Sequence, residues 1–259
     1  MPFHIFDLTD NRQLYFKVQG EKGPRLILIH SSLSSHIEWK YQGPIADHAV
    51  LTFLDLPGHG ESDPLPVPVT IVDFVAVLSL FLRSNNLVPA IIVGHSIGGA
   101  IALQLALDYH QLVNGLILIG TGAKLGVFPA ILEGLKTHYE KAIELTLGQL
   151  MFGKNADPNL VKHAKEEALR CPKSVGLADF LACNTFDVRT RLHEIKVPTL
   201  IIVGDEDKLT PPKWSHYLKD QISGSRLEVI PGSGHFVMQE QPEAVNHAIL
   251  MFLNAHEWV

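Results

Sequence analysis

The stretch IIVGHSIGGA, residues 91–100, joins two kinds of secondary structure across a very short turn. Its apolar opening is typical of a fully buried strand, and AIALQLAL downstream is typical of a helix. Ser96 lies between them, with Gly94 and Gly98 each two residues away. Such a turn holds the serine in a strained conformation, and the helix N-terminus offers free N–H groups that suit a developing oxyanion. A glycine turn of purely structural use is the alternative.

Short apolar runs recur along the chain and predict an α/β fold. Several are nearly continuous Val, Ile and Leu, as expected for strands covered on both faces, so we predict a mostly parallel central sheet with helices on each side. The runs are QLYFKV (13–18), RLILIH (25–30), VLTFLD (50–55), AIIVG (90–94), GLILIG (115–120), TLIIVG (199–204) and RLEVIP (226–231).

One long interval breaks this spacing and predicts an insertion. Between Gly120 and Thr199 no clear strand appears, and stretches such as NLVKHAKEEALR are helical in character. We therefore predict a helical cap over residues 125–193, lying over the carboxyl edge of the sheet, with a core formed by 1–124 and 194–259. A disordered linker is the alternative, but the amphipathic spacing argues against it.

Composition narrows the class of protein. Apolar residues make up 46% and charged residues 19% of the 259 residues, which is ordinary for a globular enzyme and far from a disordered chain. A chain of this length can bury a large core within one α/β domain. The formal net charge is −6 and no run of Lys or Arg occurs, so we expect no nucleic-acid partner.

The sequence also predicts a cytoplasmic protein without a membrane segment. MPFHIFDLTDN at the N-terminus lacks the basic region and apolar stretch of a signal peptide. VTIVDFVAVLSLFL, from Val69, is too short to span a bilayer and carries Asp73. Because Thr70 precedes that aspartate by three residues, a capped and mostly buried helix is predicted instead. Cys171 and Cys183 are interpreted as free thiols.

A serine nucleophile needs a base, and the base needs an acid that orients it. Acid candidates follow a strand in IIVGDEDKLTPP, where Asp205, Glu206 and Asp207 are consecutive. A solvated acidic loop is the other interpretation of this cluster. The base candidate is His235 in IPGSGHF, just after the last strand. Since the chain has 14 histidines, the place of His235 at a strand end carries more weight than its residue type.

Four motifs in this order, GHSIGG, DLPGHGESD (55–63), VGDEDKLTP and GSGHF, resemble the α/β-hydrolase fold family. The resemblance runs from about residue 12 to the C-terminus and excludes the insertion, which is similar to that family's variable cap. It implies a nucleophile at Ser96, an acid at Asp207 and a histidine at His235. In the family the acid lies three residues after a glycine, here Gly204, and four before a proline, here Pro211. No cofactor is implied.

The same resemblance places the second donor of an oxyanion hole in the loop after the third strand. The family commonly has His-Gly there, whereas this chain has HSSLSSHIEW (30–39), in which Ser31 replaces the glycine. By position, the backbone N–H groups of Ser32 and Ile97 are the expected donors. The SSL sequence is similar to the Ser-Leu loops of enol-lactone hydrolases in the same superfamily.

Two further sets of residues have competing interpretations. Carboxylate and imidazole ligands in the 55–63 loop suggest a metal site, but we predict a turn-rich loop without metal, because the chain resembles a metal-free family. The four residues are Asp55, His59, Glu61 and Asp63. Six side chains in the insertion are interpreted either as the lining of an acyl pocket or as part of the hydrophobic core of the cap. They are His138, Tyr139, Met151, Phe152, Phe180 and Cys183. The residues predicted to bind substrate are Trp39, His95, His138, Phe152, Phe180 and Phe236.

The sequence thus predicts a serine hydrolase that cleaves a carboxylic ester of short-to-medium acyl length, or a lactone. Its partner is a small-molecule substrate. A C–C bond hydrolase and a cofactor-free perhydrolase would use the same residues. A small-molecule binding module on a hydrolase scaffold is the non-enzyme alternative, which a missing Ser, Asp or His would favour. Haloalkane dehalogenases and epoxide hydrolases of the family are disfavoured because they use aspartate at the turn.

Overall fold

The computed structural model describes residues 3–8 and 11–258. The stretch examined for a signal peptide includes residues 1, 2, 9 and 10, and the predicted core ends at residue 259; these five positions lie outside the described residues. In the part of the chain that the structure describes, no helix is both long and apolar enough to cross a membrane.

Eight strands form one sheet in the order β1-β2-β4-β3-β5-β6-β7-β8, in which β2 pairs antiparallel with β1 and β4 and all other pairs are parallel. The strands are β1 Phe3–Asp7, β2 Gln13–Gln19, β3 Arg25–Ile29, β4 Val50–Leu54, β5 Ala90–His95, β6 Val113–Ile119, β7 Thr199–Gly204 and β8 Arg226–Ile230. The predicted, mostly parallel sheet is confirmed. Strand β1 was not predicted, because this edge strand mixes polar and apolar residues and gives no continuous apolar run.

Helices cover both faces of the sheet, as predicted. Successive residues of β3 alternate between two cores: Ile27 and Ile29 pack with the residues of α1 and α2, whereas Leu26 and Leu28 face the side of α9. The α-helices are α1 Ile71–Ser84, α2 Ile97–Asp108, α3 Pro129–Thr137, α4 Tyr139–Gln149, α5 Pro158–Arg170, α6 Lys173–Thr185, α7 Pro212–Gln221, α8 Val237–Glu240 and α9 Pro242–Asn254. Shorter-pitch 3-10 segments cover His36–Asp47, His110–Leu112 and Leu192–Glu194.

Helix α1 begins where its sequence predicts. The side chain of Thr70 accepts a hydrogen bond from the Asp73 N–H, and the carboxylate of Asp73 accepts one from the Thr70 N–H at 2.8 Å. This reciprocal cap satisfies two of the N–H groups that a helix start leaves without a partner.

The long interval between β6 and β7 contains α3 to α6, so its helical character is as predicted. A single β-bridge between Lys124 and Asp187 joins the two ends of this segment. We propose on this basis that residues 125–193 form a cap on a core of 1–124 and 194–259. Because the strands from β3 to β8 are parallel, the segments that follow β3, β5, β7 and β8 meet at one edge of the sheet.

Candidate active site

Ser96 is the single residue between β5 and α2, and its backbone is strained. Its φ of 55° and ψ of −115° lie in a region that residues other than glycine rarely adopt. A Cβ added to Gly94 would lie 2.2 Å from the carbonyl oxygen of Gly98, and one added to Gly98 would lie 2.3 Å from that of Ile29. The flanking glycines therefore allow the close approach that holds Ser96 at the sheet edge.

His235 is fully buried in the loop after β8, and one of its ring nitrogens is bound by a carboxylate. Its Nδ1 lies 2.8 Å from Oδ2 of Asp207 and 3.1 Å from Oγ1 of Thr210, whose hydroxyl donates to the same Oδ2 at 2.8 Å. An ionised carboxylate only accepts, so Nδ1 carries the proton and Nε2 of the neutral ring is an acceptor. Within the described residues, this buried Nε2 has no hydrogen-bond partner.

The surroundings of Asp207 favour its ionised form. Burial alone would raise the pKa of Asp207, but the charge that His235 can carry and the hydrogen bonds from His235 and Thr210 hold the pKa below its usual value. The backbone N–H groups of Leu209 and Thr210 each donate to Oδ1 at 2.8 Å. The carboxylate is thus fixed on both oxygens and presents Oδ2 to the imidazole.

A cavity that is partly open to solvent lies beside Ser96. It is lined by Ser31, Ser32, Ser96, Lys124, Leu125, Gly126, Val127, Met151, Phe180, Cys183, Leu209, Thr210 and Trp214. Thr210, which bonds both Asp207 and His235, shares this cavity with Ser96. Apolar side chains predominate, so the cavity suits an acyl or alkyl group with few polar atoms.

The loop after β3 orients a backbone N–H of the cavity wall. Nε2 of His30 accepts from the Leu56 N–H at 2.9 Å, so its Nδ1 carries the proton and donates to the Ser31 carbonyl at 2.7 Å. A trans peptide directs its carbonyl and the following N–H to opposite sides. The N–H of Ser32 therefore points away from the His30 ring.

Among the predicted substrate-binding residues, Phe180 lines the cavity beside Ser96. Phe152 and Phe236 stack on each other with ring centroids 5.1 Å apart. Phe236 lines a second cavity, which shares Ser32 and Met151 with the first. Of the residues considered only as an acyl pocket or cap core, Met151 and Cys183 line the first cavity.

The structure does not bring the other candidates to this cavity. Trp39 is fully buried in the core beneath the 3-10 segment, and His138 lies in a surface groove between α3 and α4. Tyr139 packs against α6, where its hydroxyl donates to the Cys171 carbonyl at 3.4 Å. His95 is completely buried behind the Ser96 turn. None of these four residues lines the cavity beside Ser96, because a side chain's direction depends on packing that its residue type does not reveal.

The sequence reasoning missed Trp214, Thr210 and Leu209, which line the cavity from the segment after β7. Their signal was present in KLTPPKW (208–214), since a helix starting just after the acid loop begins at the same sheet edge. Leu125 and Val127, also missed, lie at the first turn of the proposed cap.

The 55–63 loop, whose side chains suggested a metal site, makes hydrogen bonds to protein groups. Asp55 accepts from the His36 N–H at 2.6 Å and the Glu61 N–H at 3.1 Å, and Asp63 accepts from a backbone N–H of β2. His59 binds a carboxylate of α6 as well as backbone. Over residues 3–8 and 11–258, no group of three or more His, Cys, Asp or Glu residues is arranged to hold a metal ion.

A comparison with known protein families shows which family this chain belongs to. A model described as the alpha/beta hydrolase family matches residues 26–248. The chain belongs to the alpha/beta hydrolase family. This membership confirms the family predicted from the four motifs.

Curated relatives in the alpha/beta hydrolase family include methyl ester esterases. The pimeloyl-[acyl-carrier protein] methyl ester esterase of Neisseria meningitidis serogroup A is 31% identical over 205 residues, which cover 74% of this chain and 64% of that protein. This chain therefore spans just under two thirds of that relative's length. The serogroup C protein is 31% identical over 74% of this chain and 78% of its own length.

Solved structures agree over nearly the whole chain. A thermophilic esterase is 34% identical and superimposes with a TM-score of 0.87, covering 98% of both chains. An N-acyl homoserine lactone degrading enzyme is 27% identical with a TM-score of 0.86, covering 95% of this chain and 99% of the other. The α/β fold predicted from the apolar runs is confirmed by these likenesses.

Proposed function

We propose that this enzyme, a carboxylic-ester hydrolase of the alpha/beta hydrolase family, cleaves short-to-medium acyl esters or a lactone by forming an acyl-enzyme on Ser96. The state of His235 supports this most directly. Its Nδ1 is bound to Asp207 at 2.8 Å, and its Nε2 is buried without a partner among the described residues. An imidazole fixed in this tautomer is ready to take a proton from a nucleophile.

In the proposed reaction, Oγ of Ser96 attacks the acyl carbon and passes its proton to Nε2 of His235. Asp207 holds the Nδ1–H and stabilises the imidazolium. The tetrahedral oxyanion accepts hydrogen bonds from the N–H groups of Ser32 and Ile97, the latter being the first residue of α2, where a helix leaves its N–H groups unpaired.

The imidazolium then gives its proton to the leaving alcohol as the bond to the acyl carbon breaks. Water attacks the acyl-enzyme, His235 takes one proton from that water, and the same proton returns to Oγ of Ser96 as the acid leaves. For a lactone, the leaving alcohol remains attached to the acyl group, so the product is a hydroxy acid.

The shape of the cavity supports a modest acyl group. Its apolar wall includes Leu125, Val127, Met151 and Phe180. The relatives support the reaction class, because they are named as esterases and as a lactone-degrading enzyme. For this chain, those names support cleavage of an ester or lactone bond, but they do not identify the alcohol that is released.

The proposal is tested by kcat/KM on p-nitrophenyl esters from acetate to palmitate, beside a panel of lactones. We expect the maximum at a short or medium acyl chain, because apolar side chains of the proposed cap line the cavity beside Ser96. A maximum at sixteen carbons with activation at an oil–water interface would identify a lipase instead. The matched control is Ser96→Ala, and hydrolysis of no ester or lactone by the unmodified enzyme would reject the proposal.

A further inference from the structure

We propose that Glu38 is a positioning residue that links the oxyanion loop, the Ser96 turn and the His235 loop through hydrogen bonds to Ser31 and His95. The inference rests on the proposed function. Glu38 lies in the 3-10 segment His36–Asp47, outside the four motifs that carry the resemblance to the hydrolase family. Its side chain is buried, with 2% of the residue exposed.

The first link runs to the oxyanion loop. The Ser31 N–H lies 3.2 Å from both carboxylate oxygens of Glu38, and the Ser31 hydroxyl donates to Oε2 at 2.5 Å. Ser31 is the residue that replaces the usual glycine. Its hydroxyl makes a hydrogen bond to Glu38 that a glycine could not make. Together with His30 on the Ser31 carbonyl, Glu38 fixes every polar group of Ser31 and so the direction of the following Ser32 N–H.

The second link runs through His95, the residue before the nucleophile. Its Nδ1 lies 2.9 Å from Oε1 of Glu38, and its Nε2 lies 3.0 Å from the backbone carbonyl of His235. A carbonyl only accepts, so Nε2 carries a proton; an ionised carboxylate also only accepts, so Nδ1 carries another. In this arrangement both ring nitrogens of His95 donate, one to Glu38 and one to the His235 backbone.

The charge of Glu38 agrees with this assignment. Burial alone would raise the pKa of Glu38, but the charge of His95 and the hydrogen bonds from His95 and Ser31 hold that pKa below its usual value. The negative charge of Glu38 stabilises the second proton on the His95 ring. A variant without that charge no longer stabilises it. One substitution thus changes the hydrogen bonds at Ser31 and the charge beside His235.

The base is sensitive to that charge. The rings of His95 and His235 are 4.6 Å apart, and the other charged groups that act on His235 are Asp207 on the acid loop and Glu240 on α8. When His95 loses its positive charge, protonation of His235 becomes easier. The acid limb of the pH profile of kcat/KM then moves to higher pH.

The test is Glu38→Gln, which keeps the shape of the side chain. An oxyanion contact that strengthens in the transition state acts on kcat, so kcat should fall about 10- to 100-fold, less than complete loss of a donor costs. KM should stay within about threefold, because the ground-state ester gains little from the same contact. Asp47→Asn, an exposed acid at the end of the same 3-10 segment, is the matched control and should leave kcat and the pH profile unchanged.

A second variant keeps the proposal testable if Glu38→Gln does not fold. Ser31→Ala removes only the hydroxyl and should lower kcat several-fold with KM unchanged. In the double variant the two losses should not multiply, because both act through one hydrogen-bonded unit. A kcat within twofold of the unmodified enzyme in Ser31→Ala, or fully multiplicative losses, would overturn the proposal, as would an unmoved acid limb in folded Glu38→Gln.

A spectroscopic readout separates this inference from the proposed function. With ¹⁵N-labelled histidine, one ring signal, assigned by its loss in His95→Asn, should show an imidazolium at neutral pH and lose that signature in Glu38→Gln. A neutral His95 in the unmodified enzyme would reject the Glu38 network even if Ser96 hydrolyses esters. An imidazolium at His95 in an enzyme that cleaves no ester or lactone would instead reject the proposed function.

Discussion

The acid loop carries three consecutive carboxylates, and each has a different hydrogen-bond partner. Oδ2 of Asp207 lies 2.8 Å from Nδ1 of His235. Oδ1 of Asp205 accepts from the Gly232 N–H at 2.7 Å, and Glu206 accepts from a backbone N–H of the helical insertion at 2.7 Å. Asp205 thus braces the turn before His235, Glu206 fastens the insertion, and Asp207 alone of the three touches the imidazole.

Asp207→Asn should keep the fold and lower kcat by about four orders of magnitude, because an amide no longer enforces the Nδ1–H tautomer of His235. Asp205→Asn and Glu206→Gln are the matched controls and should each stay within about tenfold, since neither side chain reaches the imidazole. Steady-state kinetics on one activated ester measure all three. If Asp205→Asn were inactive and Asp207→Asn remained active, the acid would be Asp205 and the assignment of Asp207 would be wrong.

At the scale of single residues, the sequence predicted where Ser96, Asp207 and His235 lie but not what surrounds them. Each follows a strand of a parallel sheet, so chain position alone sends it to the shared edge. Trp39 and His138 have no such constraint, and tertiary packing directs one into the core and the other to a surface groove. The roles proposed for the three motif residues stay predictions until the variants are measured.

At the scale of elements, the connection between α4 and α5 is fastened to the His235 loop. The Met151 carbonyl accepts from the His235 N–H at 2.8 Å. The carboxylate of Glu240 accepts from the Gly153 N–H at 2.8 Å and from the Gly234 N–H at 2.9 Å. The proposed cap therefore helps to hold the base, as well as covering the cavity.

A buried ion pair makes a second attachment between the insertion and the sheet. Nε2 of His59, in the loop after β4, lies 2.8 Å from Oδ2 of Asp179 on α6, and both residues are almost completely buried. Nδ1 of His59 lies 3.2 Å from the Pro57 carbonyl, so both ring nitrogens donate. Burial alone would lower the pKa of His59, but the charge and hydrogen bond of Asp179 raise it well above the usual value.

This pair predicts a stability that depends on pH. Because the pKa of His59 is higher in the folded state, its contribution is complete below the unfolded pKa of about 6.5 and is lost as the pH rises through the raised folded pKa. His59→Gln should reduce the free energy of unfolding by about 3–5 kcal/mol near neutral pH, since it leaves a buried carboxylate without its cation. That deficit should shrink at alkaline pH.

Chemical denaturation of both proteins across the pH range measures this difference. His193→Gln replaces an exposed histidine and should show no pH-dependent deficit. A deficit for His59→Gln that is the same at every pH would show that the pair acts through packing rather than through the charge on His59.

Secondary-structure elements whose ends are marked by a nearby sequence signal were predictable, and elements without such a signal were not. The capping box of Thr70 and Asp73 predicted the start of α1. The break at His138 between α3 and α4 has neither proline nor glycine at that position, so nothing local announces it. Strand β1 forms by pairing antiparallel with the next strand, β2, with Phe3 opposite Lys17, and this pairing is not announced by the composition of β1 itself.

At the scale of the whole molecule, the fold was predictable because the sheet is buried on both faces. Runs such as residues 91–93 alternate between two cores, which requires apolar residues at every position. Parallel order then brings the ends of distant strands together, and with them the motif residues. The cavities follow from packing between the core and α3 to α6, which no short sequence pattern encodes.

The central claim is that Ser96 is the nucleophile, and covalent labelling tests it most directly. The enzyme is treated with phenylmethylsulfonyl fluoride, digested and mapped by mass spectrometry, while residual ester hydrolysis is followed in parallel. We expect one adduct, on Ser96, that grows as activity disappears, and a Ser96→Ala variant that is unlabelled and slower by several orders of magnitude. An adduct on Ser31, Ser32 or Ser233, or full activity in Ser96→Ala, would contradict it.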